Sequence, residues 1–336
     1  MTRDPNGADS GPERLAPWMH RHAQHPASDD PECRSELAVA ISHLRREVEV
    51  ECVRPSTDLP PRVRCFLRTT AISVVTGDRV RIERDPERPE RGVITEVLPR
   101  TSLLTRHQPT GPRPICANLD RLLITIAPDP APHVDLIDRY LVAAALDDLE
   151  ADLVLNKCDQ PARDSAEVNS LLELYRGLGI RVFETSASTG AGLPELAAAL
   201  GDATAALVGQ SGVGKSSLIN ILLPAAEAAV GALSAKRNRG HGRGRHTTST
   251  ARLYRLGEAL IVDSPGIREL APEIPSLDAL TAGFPEIADH VDGCRFRNCR
   301  HDREPGCRVQ AALIEGRIDP RRWRSYCGLK DTLPPR

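Results

Sequence analysis

Gly209-Gln-Ser-Gly-Val-Gly-Lys-Ser-Ser217 is the stretch that decides the fold. Gly209 and Gly214, followed by Lys215 and Ser216, give the spacing Gly-x4-Gly-Lys-Ser. An apolar run, Ala205-Ala-Leu-Val208, precedes it, and a helix-compatible run, Ser217-Leu-Ile-Asn-Ile-Leu-Leu223, follows. Strand, glycine loop, helix is the context in which this spacing cradles phosphate. Glycines let the backbone through Gly209, Gln210, Ser211, Gly212, Val213 and Gly214 curl with its N–H groups inward. The helix N-terminus, starting near Lys215, Ser216 and Ser217, adds the positive end of its dipole. Lys215 is expected to reach the β- and γ-phosphates and the Ser216 hydroxyl to ligate Mg²⁺. The bland alternative is a glycine turn before a helix with an ordinary exposed lysine.

The chain has 336 residues, enough for two or three domains. Hydrophobic residues at 40% beside 27% charged fit a soluble globular protein. A net charge of −2 means that any nucleic-acid contact must come from local patches. Aromatics at 3% argue against extended base-stacking platforms. No apolar run approaches the roughly 20 residues of a membrane span, and the N-terminus lacks an apolar signal core. Nine cysteines favour reduced thiols and metal ligation over a disulfide framework. A cytoplasmic protein without membrane contact is expected.

Along the chain, residues 1–35 lack apolar periodicity and are expected to form a disordered tail. Residues 36–112 hold short alternating runs such as Glu47-Val-Glu-Val-Glu-Cys52 and Arg62-Val-Arg-Cys-Phe-Leu67, which suit an OB-type barrel. Residues 113–271 alternate strands and helices, the signature of a mostly parallel sheet covered on both faces. Val134 to Leu146, with Val134, Ile137, Leu141 and Ala144 in phase, reads as an amphipathic helix. Residues 236–245 carry five cationic side chains and are expected to be mobile. Residues 272–336 form an arginine-rich, cysteine-bearing tail domain.

Three further motifs carry nucleotide chemistry. Asn156-Lys-Cys-Asp159 follows a strand. The Asp159 carboxylate so placed accepts from guanine N1–H and its 2-amino group. Adenine has neither donor, so the carboxylate would be left unpaired against it. Asn156 would tether neighbouring loops and the Lys157 stem would lie along the base. Ser186-Ala-Ser188 also follows a strand and could set the Ala187 N–H on guanine O6. Asp263-Ser-Pro-Gly266 follows a third strand. Asp263 would hold a Mg²⁺-bound water, and the Gly266 N–H could touch the γ-phosphate and sense its presence. Together these pieces define a GTPase, but Asn-Lys-x-Asp and Ser-Ala come before the phosphate loop. The chain is circularly permuted, which nearby native termini make tolerable.

The first switch then lies in Gly244-Arg-His-Thr-Thr-Ser-Thr250, with Thr248 (Thr247 as second choice) capping Mg²⁺. Ras-like enzymes orient water with a glutamine after Asp-x-x-Gly. Here that position is Ile267, so His246 is the candidate water-orienting group beside Lys215 and Thr248. Last, Cys294-x4-Cys299-x-His301-x5-Cys307 offers three thiols and an imidazole, a closed tetrahedral set for one structural Zn²⁺. Arginines around it, from Arg295 to Arg324, make a basic surface suited to phosphate backbones.

This motif order and zinc spacing resemble the small-ribosomal-subunit-dependent GTPase family (RsgA), over a span from near Glu47 to about Leu329. Asn118-Leu-Asp-Arg121 and Asp138-Arg-Tyr-Leu141 are similar to it too. The resemblance implies a multidomain chain: an N-terminal OB-type β-barrel, a central α/β circularly permuted P-loop GTPase and a small C-terminal zinc domain. A monomer that binds GTP and GDP with Mg²⁺ is expected, and the resemblance implies docking on the small ribosomal subunit and its rRNA late in assembly. Subunit-stimulated hydrolysis would drive release, with His246 positioning the catalytic water. The competing reading is a GTP-switched RNA-binding module that acts on another RNA or protein complex with little hydrolysis.

Overall fold

A computed structural model of the chain describes residues 35–44, 47–54, 57–67, 73–108, 111–223, 251–263 and 274–333. The expectations for the tail, for 236–245, and for His246, Thr247, Thr248, Gly266 and Ile267 lie outside the described residues.

Strands β1 (Ser35–Leu44), β2 (Glu47–Cys52), β3 (Arg62–Leu67), β4 (Arg79–Arg84) and β5 (Arg91–Val97) close into a five-stranded barrel. The order is β1-β2-β3-β5-β4 and back to β1, with β3 and β5 parallel and the other pairs antiparallel. Alternation drives it. In β2, Val48, Val50 and Cys52 turn inward while Glu47, Glu49 and Glu51 face out. The interior is built from short side chains, including Ala38, Ala40, Val63, Cys65, Val80, Ile82 and Ile94, as a barrel this narrow requires. A bulge in β1 between Ala40 and Ser42 bends the strand, so that its C-terminal part, still paired with β2, parts from β4 and gains a second neighbour. A separate hairpin, β6 (Leu103–Gln108) and β7 (Gly111–Ala117), follows.

The second sheet is the α/β part. Its order is β10 (Arg181–Glu184), β9 (Glu150–Leu155), β8 (Arg121–Ile126), β11 (Thr204–Val208), β13 (Ala259–Asp263), β12 (Arg252–Leu256). All neighbours pair in parallel except β12 and β13, which form an antiparallel hairpin. Although β11 comes late in the chain, it lies between β8 and β13 in the interior of the sheet. Helices α1 (Val134–Leu146), α2 (Ala166–Gly177), α3 (Leu193–Leu200) and α4 (Lys215–Leu222) cover the two faces. The two sheets are one. β1 pairs with β12 at Ser42 and Arg252. Thr76 Oγ1 donates to the Ala251 carbonyl at 2.9 Å, and Arg255 reaches Glu51.

The C-terminal lobe holds α5 (Leu277–Ala282), α6 (Pro285–Val291), α7 (Arg308–Ile314) and α8 (Pro320–Lys330) around Ile274, Leu280, Phe284, Ile287, Val309, Ile318 and Tyr326. Val142 of α1 belongs to the same cluster. Helix α1 is therefore not the one-faced helix its periodicity predicts. Ile137, Leu141 and Ala144 face the sheet, while Asp138 and Val142 face the lobe. Arg322 of α8, 1% exposed, binds Asp138 and Glu286, and its guanidinium lies 4.1 Å from the Phe284 ring centroid. Tyr175 of α2 donates to the same Asp138 oxygen at 2.6 Å. A buried charge needs such partners, because removing one leaves the other uncompensated.

Candidate nucleotide site and metal centre

Parallel strands end on one edge, and loops leaving that edge can converge. β11 is buried at every position and stops at Gly209. Gly209 has φ +134°, and a Cβ there would lie 2.0 Å from the Thr125 carbonyl oxygen, so only glycine lets the loop leave beside β8. The loop returns to α4 through Gly214 at φ +94°. Lys215 is buried, and its Nζ donates to the carbonyls of Gly209 and Gln210, each at 2.6 Å. The ammonium is thus fixed inside the curl of the loop. Ser211 and Gly212 at the loop's crest and Ser216 and Ser217 at the helix start are exposed, and Val213 is buried beneath.

β9 ends at Leu155 and delivers Asn156, which is 1% exposed. Its Nδ2 donates to the Val213 carbonyl at 2.8 Å, and its Oδ1 accepts the Ala187 N–H at 3.1 Å. One side chain therefore ties the phosphate loop to Ser186-Ala-Ser188, the tethering role its position predicts. The packing is close: a Cβ on Gly214 would sit 2.3 Å from Asn156 Nδ2. The Ala187 N–H expected on guanine O6 is already donated to Asn156, so serving a base means sharing or exchanging that bond. Lys157 stands at φ +61° and donates to the Asp129 carbonyl at 2.8 Å. Asp159 is exposed. Hydrogen bonds from Ser186 and Ser188, the latter at 2.9 Å, hold its carboxyl below the usual carboxylate range. The acceptor that would read guanine therefore stays ionised. Asp263 ends β13, whose Val262 pairs with Ala206 of β11, so its carboxylate emerges at the same edge as the loop.

The four cysteine and histidine residues of the lobe also come together. Their ligand atoms all lie within 4.8 Å of one another. Cys294 Sγ is 3.6 Å and Cys307 Sγ 3.5 Å from His301 Nδ1, and the two sulfurs are 3.9 Å apart. A tetrahedral zinc with bonds of about 2.3 Å to sulfur and 2.0–2.1 Å to nitrogen has edges of about 3.5–3.8 Å. The set fits that ion with Nδ1 as the histidine ligand. Burial pushes the Cys299 thiol up to about 12 and the His301 imidazole down. Metal loading must therefore displace thiol protons, while the imidazole is already in its ligating neutral form.

Residues 97–273 match the profile of the RsgA GTPase family. An Azotobacter vinelandii protein named small ribosomal subunit biogenesis GTPase RsgA is 46% identical over 300 residues, covering 88% of this chain and 85% of its own. The chain belongs to the RsgA GTPase family. A Pseudomonas aeruginosa RsgA is 44% identical over 297 residues, covering 88% and 84%. Among solved structures, YjeQ from Thermotoga maritima superposes with a TM-score of 0.70 at 30% identity, covering 90% of this chain and 99% of that one. YloQ, described as a circularly permuted GTPase, gives 0.68 at 25% identity, covering 92% and 100%. The RsgA-like motifs outside the nucleotide site act as joints. Asn118 donates to the Gly77 carbonyl at 2.8 Å and accepts the Thr101 N–H at 2.9 Å. Asp120 accepts the Thr204 N–H at 2.8 Å.

Proposed function

We propose that this RsgA-family GTPase binds GTP with Mg²⁺ at the β11 edge, hydrolyses it to GDP and phosphate, and acts as a monomer on the small ribosomal subunit and its rRNA late in biogenesis. The observation that carries the reading is the Asn156 bridge between the phosphate loop and Ser186-Ala-Ser188. It couples a phosphate cradle to a guanine-selecting acceptor in one site. The loop amides and Lys215 neutralise phosphate charge, and Asp159 selects guanine. Ser216, Thr248 and Asp263 would hold Mg²⁺, whose positive charge would offset the charge developing on the phosphates. His246 would orient the attacking water, and Gly266 would report the γ-phosphate. One Zn²⁺ on Cys294, Cys299, His301 and Cys307 would stiffen the lobe. The three-part division of the chain near residues 112 and 271 belongs to this reading, although the β6–β7 hairpin straddles the first division.

The names of the relatives support the ribosomal part. The described helices include none long and apolar enough to cross a membrane. A cytoplasmic site of action fits both. The test is co-sedimentation with purified small and large subunits in GDP and in a non-hydrolysable GTP analogue. The reading expects binding to small subunits only, stronger with the analogue. Equal binding to both subunits, or binding indifferent to nucleotide, would sink it. Within it, His246→Ala should abolish subunit-stimulated turnover while leaving GTP binding intact; unchanged turnover removes His246 from the mechanism.

A further inference from the structure

Helix α1 spreads Asp138-Arg-Tyr-Leu141 over different faces. Residues two apart on a helix point about 200° from each other, so Asp138 and Tyr140 face nearly opposite ways. Asp138 meets Arg322 of the lobe. One turn on, Val142 packs so closely on the lobe that a Cβ on Gly283 would lie 2.7 Å from the Val142 Cα. Leu141 joins the core beneath the sheet. Tyr140, 1% exposed, faces the phosphate loop. The lobe therefore backs α1, and α1 carries Tyr140 against the loop.

Tyr140 and the loop residues Gly209, Gln210 and Val213 line one cavity of about 10 Å³, room for at most one water. Gly209 is buried, and its N–H donates to the Tyr140 hydroxyl oxygen. Burial pushes the phenol up, against the pull of that N–H and of Arg139, so the hydroxyl stays neutral at physiological pH. Gly209 is thus held on three sides. Tyr140 takes its N–H, the Lys215 ammonium binds its carbonyl at 2.6 Å, and the Thr125 carbonyl oxygen stands 2.0 Å from where a Cβ would be. The Lys215 hold is conditional, because the same ammonium is the group expected to turn to the β- and γ-phosphates. A cation shared with phosphate holds a carbonyl less firmly. The hold from α1 does not depend on Lys215.

We propose that Tyr140 is a positioning residue of the phosphate loop: its hydroxyl keeps the Gly209 end of the loop in place when Lys215 turns to the β- and γ-phosphates. The proposal rests on the reading of this loop as a guanine-nucleotide site. Without the hydroxyl, the nucleotide-free loop can turn the Gly209 N–H toward water. A loop closed on phosphate cannot, so the unpaired buried N–H weighs on the bound state.

The experiment uses the zinc-loaded full chain and Tyr140→Phe, which keeps the ring and its packing. Competition against a fluorescent GDP analogue reads the affinities of GMP, GDP and GTP. In Tyr140→Phe, GDP and GTP are expected to bind about 5- to 150-fold more weakly, the loss for one buried N–H left without an acceptor. GMP ends short of Lys215 and should bind within about threefold of wild type. A tyrosine that merely supported the fold would weaken all three alike. Hydrogen exchange of the Gly209 amide, followed without nucleotide, should quicken in the variant, while that of Ala206 within β11 stays as in wild type. GDP and GTP binding within about threefold of wild type, or an equal loss for GMP, would overturn the proposal. So would an unchanged Gly209 exchange rate. A wild-type chain that binds no guanine nucleotide would count against the nucleotide reading itself; the exchange measurement needs no nucleotide and still reads the Tyr140 anchor.

Discussion

Replacing Asn156 with alanine removes two hydrogen bonds that hold the nucleotide site together. The Val213 carbonyl is on a buried residue, so losing its donor costs about 1–3 kcal/mol. The Ala187 N–H is only partly buried and water can replace its partner, so its share is about 1 kcal/mol. If the sum of about 2–4 kcal/mol falls on the arrangement that binds nucleotide, GTP affinity drops about 30- to 1,000-fold. A second variant checks the geometry. Gly214→Ala puts a side chain at φ +94°, strain of about 1–3 kcal/mol, and drives a Cβ to 2.3 Å from Asn156 Nδ2. In the Asn156→Ala background that collision is gone and only the strain remains. The double-mutant cycle should therefore show Gly214→Ala costing less when Asn156 is absent. Titration with a fluorescent GDP analogue reads affinity, and thermal unfolding reads any general loss of stability. Asn156→Ala binding within about threefold of wild type would refute the bridging argument. An additive cycle would refute the contact.

Arg322→Met should leave Asp138 and Glu286 without their shared cation and cost about 3–5 kcal/mol, read as a lower urea midpoint. Asp138→Leu combined with Arg322→Leu should recover most of that loss, and no recovery would mean that the pair is not the cause. Asp159→Asn exchanges an acceptor for a donor; a competition assay should find GTP weakened about 10- to 100-fold and xanthosine triphosphate strengthened. The Asp159 carboxyl is held down by Ser186 and Ser188, so its ionised form persists as pH falls through the usual carboxylate range and is lost only below it. Ser188→Ala should move that loss of guanine affinity to higher pH, and an unmoved profile would remove the serine from the argument. Zinc chelation should lower the melting temperature and change the emission of Trp323, packed in the lobe beside Tyr326. A chelated chain with unaltered melting would show that the metal is not structural.

Short-range chemistry was legible in the sequence. Gly209 to Ser217 leaves β11, Asn156 to Asp159 leaves β9 and the four cysteine and histidine residues converge, each a placement that spacing within one loop dictates. The permuted order was legible because motif order is a one-dimensional property, and the strand order repeats it with β11 inside the sheet. The contacts that join the parts were not. Asp138 and Arg322 are 184 positions apart, and nothing local marks a partner for either. Asp138 therefore reads as the polar face of a helix, whereas the C-terminal lobe buries it. The same holds for Glu49 and Glu51. Their alternation gives a solvent-facing barrel wall, and only the three-dimensional fold brings Arg252 and Arg255 against it. The β6–β7 hairpin is not legible because Pro112 and Pro114 interrupt the strand signal; beside Pro114 the ladder shifts register, between Leu104 and Thr105.

The central claim is a small-subunit-dependent GTP hydrolase. Its most direct test is the phosphate release rate of the full chain alone, with purified small subunits, and with large subunits. The account predicts slow turnover alone, strong acceleration by small subunits and none by large ones. Equal rates in all three, with GTP still tightly bound, would contradict it and leave a nucleotide-binding protein whose partner lies elsewhere.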